Sequence, residues 1–365
     1  MFQNIGFTNY QFFKMFLNIG KEGCMKNLTY VAMGNNVIIK NEITTKRTFH
    51  ELTSKRNTCT CGYPNCTKKV KPNEGMRITT PSHPRGITFC DFHAEVFDNL
   101  SISTYSTENH ETVGKPTAKG LTVSCEIETV HNTVEGVASM VCDLGFYASH
   151  DGSLDTRGIE YKSRICNSLN SLTKTFGTIQ ALNEKGLLNT LDETCGAHIH
   201  TGFYNDPVDF RFLYPSIDKY MEVFGELYTY LDGMPNDKMH EYFGRGFTNY
   251  ARTIRKDRNG HWYMPEHDGN GRLNRDGIQY LYHTTYRNGR TVPNFNRPYE
   301  MYEIHSCIFN LQHSYSLEFR LPKFVNAEQY RKCVLAMQEV VDILRKNNFK
   351  YSPDLVKVFK KYFPY

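Results

Sequence analysis

The segment Leu121–Thr129, LTVSCEIET, alternates between apolar and polar side chains. Apolar residues take every second position from Leu121, and small polar residues or glutamates stand between them. Successive side chains of a β-strand point to opposite faces of its sheet. The alternation therefore predicts a strand with one apolar face and with Glu126 and Glu128 together on the other face.

Three more segments have the same pattern, namely GIEYKSRI (158–165), CGAHIHTGF (195–203) and YSLEFRLP (315–322). Their polar positions include Glu160, His198, His200, Glu318 and Arg320. One such segment is typical of an ordinary strand with a solvated face. Because the pattern recurs on four strands, it favours a sheet with one apolar side and one densely charged side.

Apolar residues at helical spacing predict helices at roughly 168–186, 207–232 and 326–347, and a further one from Val134 that ends at Gly145. Together with the strands, these helices indicate the α+β class. A polar stretch at 99–119 reads as a linker. We therefore expect two domains, an N-terminal module at 1–115 and a second domain at 116–365.

The composition excludes several classes of protein. Hydrophobic residues make up 39% of the 365 residues and charged residues 22%, which is typical of a globular chain. A formal net charge of +5 is too small to indicate a nucleic-acid partner. The sequence has no apolar run of transmembrane length and no pattern of a signal peptide at its start. We expect a cytoplasmic protein without membrane contact, in the host cytoplasm if a phage encodes it.

The cysteines point to a metal. Their number, 11, is odd, which argues against a disulfide framework. Within the segment 59–93, Cys61 and Cys66 form C-x4-C, and Cys90 and His93 form C-x2-H. Three thiolates and one imidazole suit a structural Zn²⁺ site, and the segment resembles small zinc-knuckle modules. Cys59 is an alternative to Cys61, and unpaired thiols in a polar loop are the alternative to a metal site.

The charged sheet face also predicts metal ions. Carboxylates that crowd together are costly unless a cation neutralises them, and Mg²⁺ and Mn²⁺ prefer carboxylate oxygens. We therefore expect divalent ions at this face.

The order of the motifs, ExE, HDGSL with GIEY, CGxHxH and ExR, resembles the amidoligase family. The resemblance covers most of residues 120–325. It implies a fold similar to glutamine synthetase and glutamate-cysteine ligase, with a curved antiparallel sheet flanked by helices. It also implies ATP and two or three divalent ions as cofactors. In such ligases a carboxylate substrate becomes an acyl phosphate, which an amine then attacks to form an amide or peptide-type bond.

The resemblance also assigns roles to residues. The ligands of the metal nearest the substrate would be Glu128, Asp151 and Glu160. The ligands of the metal that bridges the ATP phosphates would be Glu126, His198 and Glu318. Arg320 would stabilise the transferring phosphoryl group. Asp151 departs from glutamine synthetase, where a glutamate is expected, so it is the least secure of these ligands.

The remaining candidates lie between the motifs. Arg245 and Arg252 are candidate phosphate or substrate contacts, with a role as surface arginines as the alternative. His200 is a candidate contact of the substrate or support for a ligand, or else a structural histidine. The polar, glycine-rich stretch 252–277 is typical of a loop over an active site or of a disordered insertion.

Three functions remain open from the sequence. The first is an ATP-dependent ligase that joins small-molecule or peptide carboxylates to amines. The second is a metal-dependent hydrolase that uses the same cluster. The third is a non-catalytic phage virion or interaction protein that binds a protein partner through its N-terminal module. The sequence has neither a P-loop nor a G-x-G-x-x-G motif, so ATP would need a different, sheet-based site.

Overall fold

A computed structural model of the chain describes its residues in these ranges: 29–33, 36–40, 58–63, 66–71, 76–80, 83–93, 112–113, 119–130, 141, 145–149, 154, 158–204, 207–267, 273–287, 289–313 and 315–365. The chain forms two compact units, Met1–Asn99 and Leu100–Tyr365. The division falls at the start of the polar stretch 99–119, whereas the sequence predicts a boundary near residue 115.

The described residues of the first unit include six short strands: β1 (Thr29–Met33), β2 (Asn36–Lys40), β3 (Cys59–Thr60), β4 (Lys69–Val70), β5 (Met76–Thr80) and β6 (His83–Phe89). Four of them form a sheet in the order β2-β1-β5-β6, and β3 pairs with β4. A helical turn at 91–93 follows β6.

The strands of the second unit are β7 (Thr112–Val113), β8 (Leu121–Thr129), β9 (Phe146–Ser149), β10 (Ile159–Ser163), β11 (Ile165–Cys166), β12 (Ala197–Phe203), β13 (Arg255–Lys256), β14 (Trp262–His267), β15 (Leu273–Tyr280), β16 (Tyr282–Arg287), β17 (Arg290–Pro298), β18 (Phe309–Asn310) and β19 (Ser316–Phe319). Its helices are α1 (Asn170–Glu184), α2 (Phe210–Leu213), α3 (Ile217–Asp232), α4 (Asn236–Phe243), α5 (Ala327–Lys346) and α6 (Asp354–Tyr362), with a 3₁₀ turn at Met301–Glu303. The α+β class is thus confirmed.

The main sheet has the strand order β18-β19-β12-β8-β10-β9, and all neighbours in this order are antiparallel. β11 pairs with β8 and β7 at the side of this path. The strands predicted at 121–129, 158–165, 195–203 and 315–322 are confirmed, with the second divided into β10 and β11. β8 lies at the centre because it pairs with both β10 and β12.

The helices pack on the apolar face of this sheet. In α5, Asn326 caps the first turn by accepting a hydrogen bond from the Gln329 backbone N–H at 2.9 Å. The buried Tyr330 of this helix donates its hydroxyl to the His198 carbonyl of β12 at 2.9 Å. Phe359 of α6 lies against Phe319 of β19, with ring centroids 5.9 Å apart. Burial of these rings leaves the opposite, polar face for other contacts.

Two of the expectations about elements need correction, and one lies outside the described residues. Two helices, α2 and α3, take the place of the single helix expected at 207–232. Pro215, which lies between them, has no N–H to donate, and the Ser216 side chain caps α3 by accepting a hydrogen bond from the Lys219 N–H. The stretch 252–277 is neither a loop nor a disordered insertion in its described part, since β13, β14 and β15 pair there as antiparallel strands. The helix expected from Val134 falls mostly on residues outside the described ranges.

None of the described helices combines the length and the apolar run that a bilayer crossing needs.

Asp342 is a buried carboxylate of α5 that lies 2.9 Å from the Lys119 ammonium and 3.0 Å from the Lys346 ammonium. Burial alone would raise its pKa, but the two lysines outweigh burial and lower it. A carboxylate whose pKa is lowered by folding stabilises the fold at pH values above its unfolded-state pKa, which is about 3.9 for aspartate. This contribution is lost as the pH falls through the folded-state pKa. We predict that Asp342→Asn lowers the free energy of unfolding by about 2 kcal/mol at neutral pH.

The difference between Asp342→Asn and the wild type should shrink below about pH 4, as measured by urea unfolding at a series of pH values. Asp354→Asn is the control, because this carboxylate also pairs with a lysine but is largely exposed. We expect it to change stability by less than about 0.5 kcal/mol. A difference for Asp342→Asn that stays constant down to pH 2 would contradict the prediction.

Candidate functional site

Strand pairing brings the charged residues of the second unit onto one face of the main sheet. Glu126 of β8 stands opposite His198 of β12 and Lys162 of β10, and Glu128 stands opposite Glu160. Residues directly opposite each other in antiparallel strands point to the same face. We call this side of the sheet the carboxylate face.

β19 extends the carboxylate face beyond β12. Glu318 stands opposite His200 of β12 on one side and opposite Asn310 of β18 on the other. The Asn310 amide donates to Glu318 Oε2 at 2.6 Å, and Arg320 Nη1 donates to Glu318 Oε1 at 2.7 Å. Glu318 is fully buried, and each of its two carboxylate oxygens accepts a hydrogen bond.

His198 is the centre of the face. Its Nδ1 lies 3.4 Å from Glu126 Oε2 and 3.2 Å from Glu318 Oε1, and its Nε2 lies 3.8 Å from Glu128 Oε1. Two groups of three potential metal ligands result, and within each group the ligand atoms lie within 4.8 Å of one another. The groups are Glu126, His198 and Glu318, and Glu128, Glu160 and His198.

The structure brings together most of the residues that the resemblance assigns to the two metals. The first group has the predicted members. In the second group His198 stands with Glu128 and Glu160, while the predicted ligand Asp151 lies outside the described residues. The sharing of His198 between the two groups is a feature of this face that the sequence did not predict.

Lys162 is a further member of the face that the sequence analysis missed. Its ammonium lies 2.9 Å from Glu160 Oε2 and 3.5 Å from Glu126 Oε1. It follows Glu160 by two residues on one strand, so the alternation alone places it on the same face. Lys162 and Arg320 neutralise part of the negative charge. The carboxylates therefore need metal ions less than the sequence suggested.

Two carboxylates of the face, Glu126 and Glu318, are held in the ionised form. Burial alone would raise the pKa of Glu126, but His200, His198 and Lys162 outweigh burial and hold that pKa well below its usual range. Glu318 has a strongly lowered pKa for the same reason, because Arg320 and nearby imidazoles outweigh burial. Both carboxylates are thus available to a cation at neutral pH.

Arg245 supports the face from the ends of its strands. It is only 6% exposed, and its guanidinium donates to the backbone carbonyls of Leu321 at 2.9 Å, Cys195 at 3.1 Å and Arg320 at 2.6 Å. Burial lowers its pKa to about 10. Arg245 therefore joins two backbone segments of the protein. Its contact with phosphate stays a prediction.

Arg252 also uses its guanidinium within the protein. It donates to the Asn249 carbonyl at 3.0 Å and to the Gln279 side chain at 2.9 Å. Its backbone bonds to Ser306 and Ile308, in the segment that leads into β18. Arg252 therefore ties the β13–β15 region to the edge of the main sheet, and its predicted contact with a ligand is likewise untested.

The first unit contains a separate cluster of potential ligands, formed by Cys61, Cys66, Cys90 and His93. His93 Nδ1 lies 3.4 Å from the Cys61 sulfur and 3.3 Å from the Cys90 sulfur. All four ligand atoms lie within 4.8 Å of one another, which is compatible with a bound metal ion. The cluster contains Cys61 rather than Cys59.

Local structure explains how the cluster forms. The β3–β4 pair brings Cys61 and Cys66 together across a tight turn, in which the Cys66 N–H bonds to the Tyr63 carbonyl at 3.1 Å. The helical turn after β6 carries His93, whose ring stacks on Tyr63 with centroids 3.8 Å apart. Cys59 is exposed and directs its thiol to the Val70 carbonyl.

A cleft of about 720 Å³ lies away from the carboxylate face. It is lined by α3 and by β13 and β14, including Glu222, Arg255 and Trp262. The helix α3 packs on the apolar face of the main sheet, where Phe224 stacks on Phe309 with centroids 5.5 Å apart. The cleft is therefore separate from the site that the charged residues define.

Comparisons of the chain with protein-family models, with curated proteins and with solved structures find no match.

Gly196 lies where the carboxylate face is most crowded. Its N–H donates a short hydrogen bond to Glu128, and an added Cβ would stand 2.9 Å from His198 Nε2 and 3.0 Å from Arg245 Nη2. We predict that Gly196→Ala lowers the free energy of unfolding by about 1–3 kcal/mol, because the larger residue overpacks the site. Urea unfolding measures the change.

Gly177→Ala provides the matched control. Gly177 lies within α1, and an added Cβ there meets nothing within 4 Å. Alanine favours a helix over glycine, so this variant should gain about 0.5–1 kcal/mol. If Gly196→Ala proved as stable as Gly177→Ala, the close packing around Glu128 and His198 would be refuted.

Proposed function

We propose that the protein is an ATP-dependent carboxylate–amine ligase with a glutamine synthetase-like catalytic domain. The observation that carries the proposal is the arrangement of the two ligand groups, which share His198 on one face of an antiparallel sheet. Arg320 lies directly beside them, on the ligand Glu318. The order of motifs along the chain supports the same function.

The ligand groups fit hard divalent ions. Each group offers two carboxylates and one imidazole, and carboxylate oxygens suit Mg²⁺ or Mn²⁺. Bound Mg²⁺ would neutralise charge on the ATP phosphates and orient them for transfer. Because a neutral imidazole has a single free lone pair, His198 would coordinate one ion, and the carboxylates of the other group would hold the neighbouring ion.

The protein's own side chains would position the reacting groups. Arg320 is held by its bonds to Glu318 Oε1 at 2.7 Å and to the Tyr250 carbonyl at 3.1 Å, so its planar guanidinium has a fixed orientation. Such a preorganised donor stabilises charge on a transferring phosphoryl group. Glu160 accepts a hydrogen bond from the Ser149 hydroxyl at 3.4 Å, which helps orient its carboxylate.

The substrates would be a small-molecule or peptide carboxylate and an amine. Carboxylates near the amine would favour its binding as a cation and then the loss of its proton. The residues of the face do not distinguish one carboxylate or amine from another. A cytoplasmic location, where ATP is abundant, fits this reaction and belongs to the same proposal.

We predict that the full-length protein with ATP and Mg²⁺ or Mn²⁺ releases ADP and phosphate when given a pool of amino acids and small carboxylates. Glu318→Gln and Arg320→Lys should each lower this turnover by about 100-fold or more, because each removes charge or geometry needed at the transferring phosphoryl group. Mass spectrometry of the reaction should detect the amide product.

Glu241→Gln is the control for charge removal, because Glu241 is exposed and pairs with its helix neighbour Lys238 at 2.7 Å. This variant should keep full turnover. Turnover in Glu318→Gln at the wild-type level would refute the role of Glu318. Amide cleavage without ATP would favour a metal-dependent hydrolase, and a failure to bind ATP with Mg²⁺ would favour a non-catalytic interaction protein.

We further propose that the cluster Cys61, Cys66, Cys90 and His93 holds a structural Zn²⁺ ion. Three thiolates and one imidazole fill a tetrahedral zinc site and leave no position for a substrate. The ion would join the β3–β4 pair to the helical turn that follows β6. A module ordered in this way offers a rigid surface to a protein partner.

We predict that Cys90→Ser contains about one zinc ion per chain less than the wild type, as measured by elemental analysis of the purified protein. Cys59→Ser is the matched control, because Cys59 lies in β3, two residues before Cys61, but is not a member of the cluster. It should retain its zinc. Equal zinc contents in wild type and Cys90→Ser would exclude the proposed site.

A further inference from the structure

A third group of potential metal ligands lies at the β19 end of the carboxylate face. It consists of His200, His313 and Glu318, whose ligand atoms lie within 4.8 Å of one another. His313 Nε2 is 3.3 Å from Glu318 Oε2. The two imidazole rings meet edge to face, with centroids 4.6 Å apart and an interplanar angle of 86°. His313 is not among the residues that the sequence motifs single out.

The two oxygens of Glu318 serve different neighbours. Oε1 lies 3.2 Å from His198 Nδ1 and 2.7 Å from Arg320, whereas Oε2 lies 3.3 Å from His313 and 2.6 Å from Asn310. The third group therefore uses the oxygen that faces away from His198. A single carboxylate can in this way contribute to two metal positions, one through each oxygen.

The buried ring of His200 supplies an independent observation. The residue is 7% exposed, and its Nε2 atom has no hydrogen-bond partner among the residues that the structure describes, although Glu126 Oε2 lies 3.4 Å away. Its other ring nitrogen, Nδ1, lies 3.3 Å from the Ser316 hydroxyl. A buried ring nitrogen without a partner carries a free-energy cost that a ligand would remove.

This arrangement is the one that metal-binding histidines adopt. In such residues one ring nitrogen coordinates the ion, while the other bonds to a neighbouring group that fixes the orientation of the ring. For His200, Ser316 would be that neighbour and Nε2 the ligand. The His313 side chain is 43% exposed, so the group is open to solvent on one side.

We propose that His200, His313 and Glu318 form a third divalent-metal site, which selects a transition-metal ion such as Zn²⁺, Mn²⁺ or Fe²⁺ over Mg²⁺. Two imidazoles and one carboxylate suit transition metals, whereas Mg²⁺ prefers oxygen ligands and gives up its water reluctantly. Open positions on the ion would face the solvent side of His313. The site goes beyond the proposed ligase reaction and does not depend on it.

The alternative is that His313 forms only an ion pair with Glu318. An ion pair accounts for the 3.3 Å contact between these two residues, but it leaves the buried Nε2 of His200 without a hydrogen bond among the described residues, 3.4 Å from Glu126 Oε2. The two possibilities differ in a measurable quantity, which is the number of transition-metal ions that the protein binds.

The test is a titration of the metal-free full-length protein with Co²⁺, followed by equilibrium dialysis and visible absorption. Co²⁺ bound to cysteine sulfur has an intense charge-transfer absorption, which separates the N-terminal cluster from sites built from imidazole and carboxylate. We expect His313→Ala to bind one Co²⁺ ion fewer than the wild type, with the sulfur absorption unchanged. Millimolar Mg²⁺ should not displace this ion from the wild type.

His283→Ala is the matched control, because His283 also pairs with a glutamate, Glu303, at 3.5 Å and is partly exposed. It should bind as much Co²⁺ as the wild type. Equal Co²⁺ binding by wild type and His313→Ala would overturn the proposal. The same loss of Co²⁺ in His283→Ala as in His313→Ala would also overturn it, because it would indicate binding to surface histidines. Since ATP turnover is not the readout, failure of the ligase proposal leaves this test intact.

Discussion

The pairing of β8 with both β10 and β12 is the constraint on which the site depends. The side chains of a strand alternate between faces with a period of two, so a slip of one residue in either pairing would turn the glutamates of β8 away from their partners. In the observed register Glu126 faces His198 and Lys162, and Glu128 faces Glu160. The apolar residues of β8 then fall on the face that the helices cover, so burial of those residues stabilises the same register that assembles the site.

Part of the negative charge on the carboxylate face is neutralised within the protein itself. Lys162 lies between Glu160 and Glu126, and Arg320 bonds to Glu318. A buried charge without a partner costs several kcal/mol, and these cations offset that cost when no metal is bound. A divalent ion that binds here therefore competes with the lysine, and the same lysine keeps the face assembled while no ion is bound.

Much of the fold could be predicted because its signals are local. The four strands with alternating residues were found in place, and the helix predicted at 326–347 is present as Ala327–Lys346. One error has a local cause and the other a tertiary one. Pro215 interrupts a run of helical spacing, and the polar stretch at 252–277 forms strands because tertiary pairing outweighs its glycine-rich composition. The alternation predicted which residues share a face, and the resemblance to the amidoligase family supplied the ligand groups.

The sequence by itself determined which side chains point the same way along each strand, and it placed the cysteine pairs at a spacing that a metal ion suits. These are properties of neighbouring residues, and the period of a strand is enough to establish them. Only the tertiary structure decided which strands lie side by side. It set His198 between two groups of carboxylates, brought His313 to the far oxygen of Glu318 and turned Arg245 toward backbone carbonyls. These contacts join residues far apart in the chain, and their geometry depends on how the whole sheet pairs, which no local pattern specifies.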